Sequence, residues 1–391
     1  MYKIQVLNKI APEGLVDFPP EFYEVASEFR TPDAILVRSA KVPESLPLTV
    51  KAIARAGAGV NNIPVSTMTD HGIVVFNTPG ANANAVKELV LLGLFLSSRP
   101  AIKASHWVKS LNLTGAELST AVEQGKSRFI GPEIAGKTLG VIGLGAIGAL
   151  VANSARDLGM NVIGFDPYIS IDAAWRLSRD VQRAENLESL ISRSDYISLH
   201  VPATADTCGL INFERIKQMK KGVRLLNFAR SELVVTQDVL EGVKSEKIAS
   251  YVCDFGDSEL LNCENIVCLP HLGASTPEAE VNCAKMAVRQ LRDFLETGNI
   301  SNSVNFPKCK MEDPIPVGGA RLCVSNRNVP NMVGQITTVL ANARCNISAM
   351  INQNRGEVAY NIINLDNEIP ESAIEDICQI DGIIKMRVIS G

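Results

Sequence analysis

Histidine is scarce in this chain, and its cysteines lack the spacing of a cross-linked or metal-binding protein. Only 4 of the 391 residues are histidine, so few side chains can act as an acid or base near neutral pH. The 9 cysteines form no C-x-x-C pair and no zinc-type ligand spacing, which argues against a disulfide framework and a structural metal. They fall within apolar patterns instead, as free thiols of a core do, and such thiols suit the reducing cytoplasm. We therefore expect a cytoplasmic protein, and the missing ligand spacing leads us to expect no metal ion.

A basic surface and a long hydrophobic run are also lacking. The chain has 38 Lys and Arg against 42 Asp and Glu, and its pI is near 5.7. A nucleic acid or an anionic membrane would favour the opposite balance. The longest apolar run, residues 89–96, is too short to cross a bilayer, and the first residues have no signal-peptide core. We therefore expect neither nucleic acid nor membrane as a partner.

A glycine-rich turn joins a strand pattern to a helix pattern near the middle of the chain. The apolar, β-branched run Thr138–Ile142 predicts a buried strand, and a helical repeat over 146–158 ends before Gly159, a typical helix terminator. The glycines between them have the G-x-G-x-x-G spacing: Gly143, Gly145 and Gly148. In that order they permit a tight turn, a close approach to a pyrophosphate, and close packing of helix on strand.

An acidic residue follows at the interval expected for a dinucleotide site. The next apolar strand, Asn161–Phe165, ends before Asp166, whose carboxylate can accept both hydroxyls of a ribose. The start of the helix offers N–H groups to the phosphates. Asp166 would repel the 2′-phosphate of NADP and no Arg follows it, so the sequence predicts NAD. A glycine turn without a ligand is the alternative.

Strand and helix patterns alternate on both sides of this turn, which predicts two parallel α/β sheets. A proline- and glycine-rich stretch then predicts a linker, and a βαββαβ order predicts a small ferredoxin-like domain at the C-terminus. The predicted domains are a substrate-binding domain of residues 1–97 and 280–306, a nucleotide-binding domain of 98–279, a linker of 307–319, and a C-terminal domain of 320–391.

His271 is the histidine best placed for acid–base chemistry. It follows a strand that ends at Leu269, at the carboxyl edge where ligands of α/β sheets bind. An imidazole there can take the proton of a substrate hydroxyl while hydride passes to NAD. Arg230, at the end of another strand, can bind a substrate carboxylate. The acid that would orient the imidazole is left open among four residues: Asp254, Asp257, Glu259 and Glu264.

Cationic residues also follow the strand patterns of the first domain. Arg38, Lys41 and Arg55 come just after two of these strands. At the carboxyl ends of parallel strands they are suited to bind an anionic ligand. Ordinary solvated surface cations are the alternative interpretation.

Together these segments resemble the D-isomer-specific 2-hydroxyacid dehydrogenases over essentially the whole chain. The matching stretches, in the family's order and spacing, are residues 38–42, 55–60, 77–80, 143–148, 227–230 and 271–276. The resemblance implies an α/β fold with a Rossmann-type doubly wound parallel-sheet domain inserted in a flavodoxin-like substrate domain. It implies NAD-dependent oxidation of D-3-phosphoglycerate to 3-phosphooxypyruvate, the first step of phosphorylated L-serine biosynthesis.

The resemblance also assigns roles to individual residues. The family's catalytic Arg, Glu and His fall on Arg230, Glu259 and His271, and Glu259 keeps the family's interval after Asp254. Besides the three glycines, the implied cofactor contacts are Thr78, Ala146, Ile147, Asp166, Phe228, Ala229, Arg230, Asp254, His271, Gly273 and Ala274. The implied substrate contacts are Arg38, Ser39, Lys41, Arg55, Ala58 and Gly59, with Lys126 or Arg128 of a neighbouring subunit as further candidates.

Four residues depart from the family pattern. Ser231 replaces Gly, Val235 replaces Asp, and Leu260 replaces Pro after the catalytic Glu. Ala146 replaces an Arg in the glycine turn, which leaves the pyrophosphate to backbone N–H groups and predicts a weaker hold on NAD. None of the four removes a reacting group, although Leu260 bears on the loop of Glu259.

The C-terminal domain resembles an ACT domain, an amino-acid-sensing module. The resemblance places effector ligands at Asn328 and Asn346, usually across a pair of domains, and Asn326 replaces a His at a third position. It therefore implies L-serine as an effector and a homodimer or homotetramer. An ACT domain that only holds subunits together is the alternative.

Two other functions remain open from the sequence. A related enzyme could oxidise glycerate, phosphoerythronate or another 2-hydroxy acid, or reduce hydroxypyruvate. Some family members are non-catalytic NAD(H)-sensing scaffolds, but those carry no amino-acid sensor, so the C-terminal domain argues against that function.

Overall fold

The computed structural model describes the backbone of residues 1–391 and every side chain except that of Asp172. Two compact units are present: unit 1 comprises Met1–Ala81 with Glu280–Gly391, and unit 2 comprises Asn82–Ala279. Unit 2 is therefore inserted in the chain of unit 1. The division falls after Ala81 rather than at residue 97 because apolar side chains of the following helix pack in the core of unit 2.

The first part of unit 1 is a five-stranded parallel sheet. Its elements are β1 (Tyr2–Val6), α1 (Pro12–Leu15), β2 (Tyr23–Ala26), β3 (Ala34–Val37), β4 (Ala52–Arg55), α2 (Val65–Asp70) and β5 (Val74–Phe76). The strand order β2-β1-β3-β4-β5 is flavodoxin-like, as predicted. Leu36 packs in one core and Val37 in another, because successive side chains of a strand point to opposite faces. The sequence pattern did not predict β2, a short edge strand.

Unit 2 contains a seven-stranded parallel sheet. Its elements are α3 (Ala83–Ser98), α4 (Ala101–Ser110), α5 (Gly115–Gly125), β6 (Thr138–Ile142), α6 (Ala146–Asp157), β7 (Asn161–Phe165), α7 (Ile171–Trp175), β8 (Gln182–Arg183), α8 (Leu187–Arg193), β9 (Tyr196–Leu199), α9 (Phe213–Gln218), β10 (Val223–Asn227), α10 (Thr236–Lys244), β11 (Ile248–Cys253) and β12 (Ile266–Cys268). The order β12-β11-β10-β9-β6-β7-β8 confirms the Rossmann prediction. The chain order reverses between β6 and β9, which is where such sheets bind nucleotides.

A long helix, α11 (Pro277–Thr297), leads back into unit 1. The Thr276 hydroxyl accepts a hydrogen bond from the Ala279 N–H at 3.1 Å, as expected of a helix cap. Beyond the helix, Cys309 and Met311 are buried in the core of unit 1. The predicted linker therefore contains packed residues at its start.

The C-terminal part of unit 1 is an antiparallel sheet with two helices. Its elements are β13 (Ala320–Arg327), α12 (Met332–Asn342), β14 (Ile347–Arg355), β15 (Val358–Leu365), α13 (Glu371–Cys378) and β16 (Ile383–Ser390). The order β14-β15-β13-β16 confirms the ferredoxin-like prediction. Leu322 and Ile363 pack in the core that holds α12 and α13. Alternate residues of the same strands, Cys323 and Tyr360, join Phe294 in the core of unit 1.

Two features are absent from the described residues. No helix among them is both long enough and apolar enough to cross a membrane. No group of three or more His, Cys, Asp or Glu side chains among them is arranged to hold a metal ion.

Candidate active site

The strands of unit 2 end at a common edge because their last residues pair in register. The paired row across the sheet is Phe165, Ile142, Leu199, Asn227, Cys253 and Cys268. Gly143, Asp166, Arg230, Asp254 and His271 all follow this row within three residues. The structure therefore brings the predicted nucleotide-binding and reacting residues to one edge of one sheet.

The two outer glycines of the turn differ in role from the central one. A Cβ on Gly143, whose φ is +91°, would lie 2.6 Å from the backbone oxygen of His200. A Cβ on Gly148 would lie 1.9 Å from the backbone oxygen of Gly143, whereas a Cβ on Gly145 would meet nothing within 4 Å. The outer glycines are thus required by packing and the central one faces open space, which is what a bound pyrophosphate needs.

The start of α6 and Asp166 complete a fit for a dinucleotide. The first residues of α6, Ala146 and Ile147, have N–H groups without acceptors inside the helix. Asp166 accepts hydrogen bonds from the N–H of Leu144 at 2.8 Å and of Tyr168 at 2.9 Å, one on each oxygen. Each carboxylate oxygen keeps a lone pair, so Asp166 can both hold the turn and accept ribose hydroxyls.

Arg230 is positioned by a buried amide. Asn227, at the end of β10, donates from Nδ2 to the backbone oxygen of Arg230 at 2.8 Å, and its Oδ1 accepts from the Ala229 N–H at 3.2 Å. The Arg230 side chain is exposed and donates to the Ala229 backbone oxygen at 2.6 Å. No described carboxylate forms an ion pair with Arg230, so its guanidinium is available to bind an anionic group. Neighbouring Phe228 is buried and its ring crowds Gly93 of α3, which makes it a packing residue.

His271 is held in place through the backbone that follows it. Asp254 is 1% exposed, and its two oxygens accept the N–H groups of Leu272 at 2.7 Å and Gly273 at 2.8 Å. His271 itself has a φ of +56°, an uncommon conformation for a residue with a side chain. Its ring packs edge-to-face on Phe255, with centroids 5.4 Å apart. The imidazole is exposed at the edge and its backbone is fixed by a buried carboxylate.

Glu259 is not joined to His271 by any hydrogen bond or ion pair among the described residues. Its Oε2 accepts from Gln237 Nε2 at 2.6 Å, and its N–H donates to Asp257 Oδ1 at 3.0 Å. The next residue, Leu260, is 5% exposed and packs in the core, so it anchors this loop. Glu259 and His271 thus lie on loops that follow the neighbouring strands β11 and β12. The Glu259 carboxylate is bonded to Gln237, whereas the His271 ring packs on Phe255.

The other acids that the sequence left open have structural partners. Asp254 holds the loop of His271, as described. Asp257 accepts the Thr236 hydroxyl at 3.3 Å, and Glu264 is exposed near Lys103 at 3.9 Å. Neither Asp257 nor Glu264 forms a hydrogen bond or an ion pair with His271 among the described residues.

Arg38 and Arg55 lie together in unit 1, at the carboxyl ends of β3 and β4. Val37 pairs in register with Arg55, and Arg55 Nε donates to the Arg38 backbone oxygen at 3.1 Å. The Arg38 guanidinium forms an ion pair with Glu280 of α11, Nη2 to Oε1 at 2.7 Å. The two arginines therefore form a cationic cluster that already holds one carboxylate.

Asn8, at the end of β1, organises the neighbouring loop. It accepts the Arg38 N–H on Oδ1 at 2.9 Å and donates from Nδ2 to the Ser39 hydroxyl at 3.1 Å. Lys41 is exposed, and residues 58–59 follow β4 at the same sheet edge. The predicted substrate residues thus gather on one edge of the five-stranded sheet.

Thr78 is fully buried in unit 1. Its N–H donates to the Gly57 backbone oxygen at 3.1 Å, and its hydroxyl interacts with the thiol of Cys283 in α11.

The three predicted effector residues do not lie together in one chain. Asn326 is 1% exposed and accepts from Asn361 Nδ2 at 2.8 Å. Asn328 follows the end of β13 and Asn346 precedes the start of β14, and the strand register puts these two points at opposite ends of the sheet. They are about 25 Å apart at ~3.3 Å per strand residue. Only a second copy could bring both to one ligand.

The sequence analysis missed Asn8, Asn227 and Gln237. Asn8 and Asn227 are polar residues at or just after the ends of apolar strands, which is a signal for a side chain that shapes a loop. Gln237 gives no such signal, because its contact with Glu259 joins residues far apart in the chain.

Comparison with known proteins identifies the family. A sequence model described as "D-isomer specific 2-hydroxyacid dehydrogenase, NAD binding domain" matches residues 95–273, which confirms NAD as the cofactor. The chain is 32% identical over 326 residues to the D-3-phosphoglycerate dehydrogenase of Bacillus subtilis, covering 78% of this chain and 59% of that protein. The Haemophilus influenzae D-3-phosphoglycerate dehydrogenase is 30% identical over 342 residues, covering 85% of this chain and 79% of that one.

A solved structure of similar sequence shares the fold. The NAD⁺-bound 3-phosphoglycerate dehydrogenase of Entamoeba histolytica is 26% identical in sequence, with a TM-score of 0.60. The structural alignment covers 78% of this chain and 98% of that one. The chain spans little more than half the length of several curated relatives that it matches. It belongs to the D-isomer-specific 2-hydroxyacid dehydrogenases.

Proposed function

We propose that the protein oxidises D-3-phosphoglycerate to 3-phosphooxypyruvate with NAD, the first step of phosphorylated serine synthesis. The main support is the strand register of unit 2. It puts the glycine turn, Asp166, Arg230 and His271 at the same edge of one sheet. The curated relatives named D-3-phosphoglycerate dehydrogenase support the choice of substrate.

Arg230 and His271 would act directly on the substrate. Arg230 binds the carboxylate with its exposed guanidinium and draws electron density from the C2–O bond. His271 takes the hydroxyl proton as general base. The glycine turn and Asp166 would hold NAD, whose nicotinamide would supply the acceptor for the hydride that leaves C2. Asp254 keeps the loop of His271 in register with the sheet.

Glu259 is proposed to stabilise the imidazolium after His271 has taken the proton. In the structure its carboxylate is bonded to Gln237, so this role requires Glu259 to exchange that partner for His271. A carboxylate beside the ring would stabilise the protonated imidazole by its opposite charge.

The phosphate of the substrate is proposed to bind the cations of unit 1. Arg38, Ser39 and Arg55 are gathered at one sheet edge, with Lys41 and residues 58–59 beside them. Glu280 orients the Arg38 guanidinium in the absence of substrate. A doubly charged phosphate would compete with Glu280 for that guanidinium. Lys126 or Arg128 of a second subunit are further candidates for phosphate contact.

We also propose a homodimer or homotetramer in the cytoplasm that L-serine inhibits. None of the described residues of α4 or α5 is buried, and Ile102 and Val108 are exposed there, which suits a surface that packs on another copy. The division of effector residues between two ends of the sheet also suits a paired C-terminal module. In this proposal residues 1–81 with 280–306 bind substrate, 82–279 bind NAD, and 320–391 regulate.

NADH formation tests the proposal directly. The purified protein is given NAD⁺ with D-3-phosphoglycerate, D-glycerate or D-4-phosphoerythronate, and the phosphoglycerate reaction is repeated with L-serine. We expect turnover to be fastest with phosphoglycerate and reduced by serine. Faster turnover of another acid would reassign the substrate, and NAD binding without any turnover would favour the scaffold function.

A further inference from the structure

A small cavity lies within unit 1, where the C-terminal sheet meets the first sheet. Its volume is about 130 Å³, and its polar lining includes Lys51, Ser325, Lys385 and Arg387. A cavity of that volume has room for several water molecules, so it can hold a small oxyanion. None of these four residues belongs to the predicted active or effector sites.

The cations around this cavity outnumber the carboxylates that pair with them among the described residues. Lys51 forms an ion pair with Asp33. Lys385 Nζ donates to the backbone oxygens of Val50 at 2.6 Å and Leu48 at 3.3 Å, which are neutral acceptors. Its third N–H remains available, because an ammonium group has three donors.

Arg387 is also compensated only by neutral groups. It donates to the backbone oxygens of Phe294 and Leu295 near the end of α11, and its guanidinium lies 4.1 Å from the Phe294 ring centroid. The carbonyl end of a helix carries only partial negative charge. Its Nε is buried without a hydrogen-bond partner among the described residues. Three cations therefore surround the cavity with one carboxylate, that of Asp33.

We propose that this cavity binds a small oxyanion, a carboxylate or a phosphate-type group, through Lys385 with Lys51 and Arg387 nearby. An anion there would offset the charge imbalance that burial makes costly. It would also join the C-terminal module to the first sheet, since the cations come from both. Ser325, whose hydroxyl donates to the Lys385 backbone oxygen at 3.0 Å, can still accept a hydrogen bond from a protonated ligand.

The titration of Lys385 gives the site a signature. Burial, with Lys51 and Arg387 nearby, lowers the pKa of Lys385 to about 8. A bound anion would raise that pKa again, so binding at pH 8 should take up a fraction of a proton. An anion bound at Arg230 or Arg38 would not do so, because guanidinium groups stay protonated.

Calorimetric titration of the full chain with sodium sulfate and with sodium acetate tests the site. Neither anion titrates near pH 8, and repeating the experiment in two buffers of different ionisation heat measures proton uptake. We expect saturable binding of at least one of them with proton uptake; sulfate preference indicates a phosphate-type ligand and acetate preference a carboxylate. Lys385→Met should weaken binding at least tenfold and abolish the uptake, whereas Lys308→Met, at an exposed lysine, should change neither.

Two further variants keep the test decisive. Lys385→Arg retains the charge without the titration, so it should bind the anion without proton uptake even if the Met variant fails to fold. Arg230→Ala should leave the proton-coupled binding unchanged, which separates this site from the proposed substrate site. Absence of saturable binding, or proton uptake that survives Lys385→Arg, would overturn the proposal.

Discussion

The buried carboxylate of Asp254 accepts a hydrogen bond from the backbone N–H of Gly273 at 2.8 Å. The same carboxylate accepts from Leu272. Asp254 thereby connects the end of β11 to the loop that carries His271, whose strained backbone needs such a hold.

Asp254→Asn should loosen this loop. An amide presents a donor toward one of the two N–H groups, and an unsatisfied buried group costs about 1–3 kcal/mol. We expect the free energy of unfolding in urea to fall by that amount and NADH formation to slow. Glu264→Gln, the same change at an exposed position, should alter neither. Wild-type stability and rate in the Asp254→Asn variant would contradict the positioning role.

His271→Ala should lower turnover by about 10²–10⁴-fold, the range attributed to a general base. NADH affinity, measured by fluorescence titration, should stay nearly unchanged, because the glycine turn and Asp166 remain. His71→Ala serves as the matched control at an exposed histidine. Near wild-type turnover in the His271 variant would remove the base assignment.

The glycine turn allows a paired test of packing against ligand space. A Cβ at Gly148 meets the Gly143 backbone oxygen at 1.9 Å, so Gly148→Ala should destabilise the fold by about 1–3 kcal/mol. A Cβ at Gly145 meets nothing within 4 Å, so Gly145→Ala should keep the stability but weaken NAD binding at least tenfold, about 1.4 kcal/mol. Thermal unfolding with and without NAD separates the two effects. Equal loss of stability in both variants would argue against a pyrophosphate at Gly145.

Lys385 should make stability depend on pH in a defined direction. Its pKa is lowered from 10.5 to about 8, mainly by burial, so between these values the unfolded chain binds more protons than the folded one. Stability from this group therefore rises as pH increases from 8 to 10.5. In sulfate-free buffer, the unfolding free energy of the wild type relative to Lys385→Met should increase across that window. A constant difference would mean that the pKa of Lys385 is not lowered.

Serine inhibition should require two chains. Asn328 and Asn346 are at opposite ends of one sheet, so Asn328→Ala and Asn346→Ala should each abolish inhibition in the proposed assembly. Mixed assemblies of the two variants, refolded together, would contain one site with both residues intact and should regain partial inhibition. A mixture that serine still fails to inhibit would favour a site within one chain or no serine site.

Local patterns in the sequence were sufficient for most elements. Strands Thr138–Ile142 and Asn161–Phe165 are found at the predicted residues, and Gly159 has the positive φ expected of a helix terminator. These features depend on neighbouring residues alone: side-chain period, turn chemistry and glycine's freedom at positive φ. The short edge strands β2 and β8 were missed because they carry too few apolar residues to show a period.

The sequence by itself also determined which strand ends carry the reacting groups, since Arg230 and His271 each follow an apolar strand. Tertiary structure alone decided their partners: Glu259 with Gln237, Asp254 with the Leu272 and Gly273 amides, Arg38 with Glu280. These contacts join residues 18 to 242 positions apart along the chain. Such pairs depend on strand order, register and loop paths, which a period of two or of 3.6 residues does not encode.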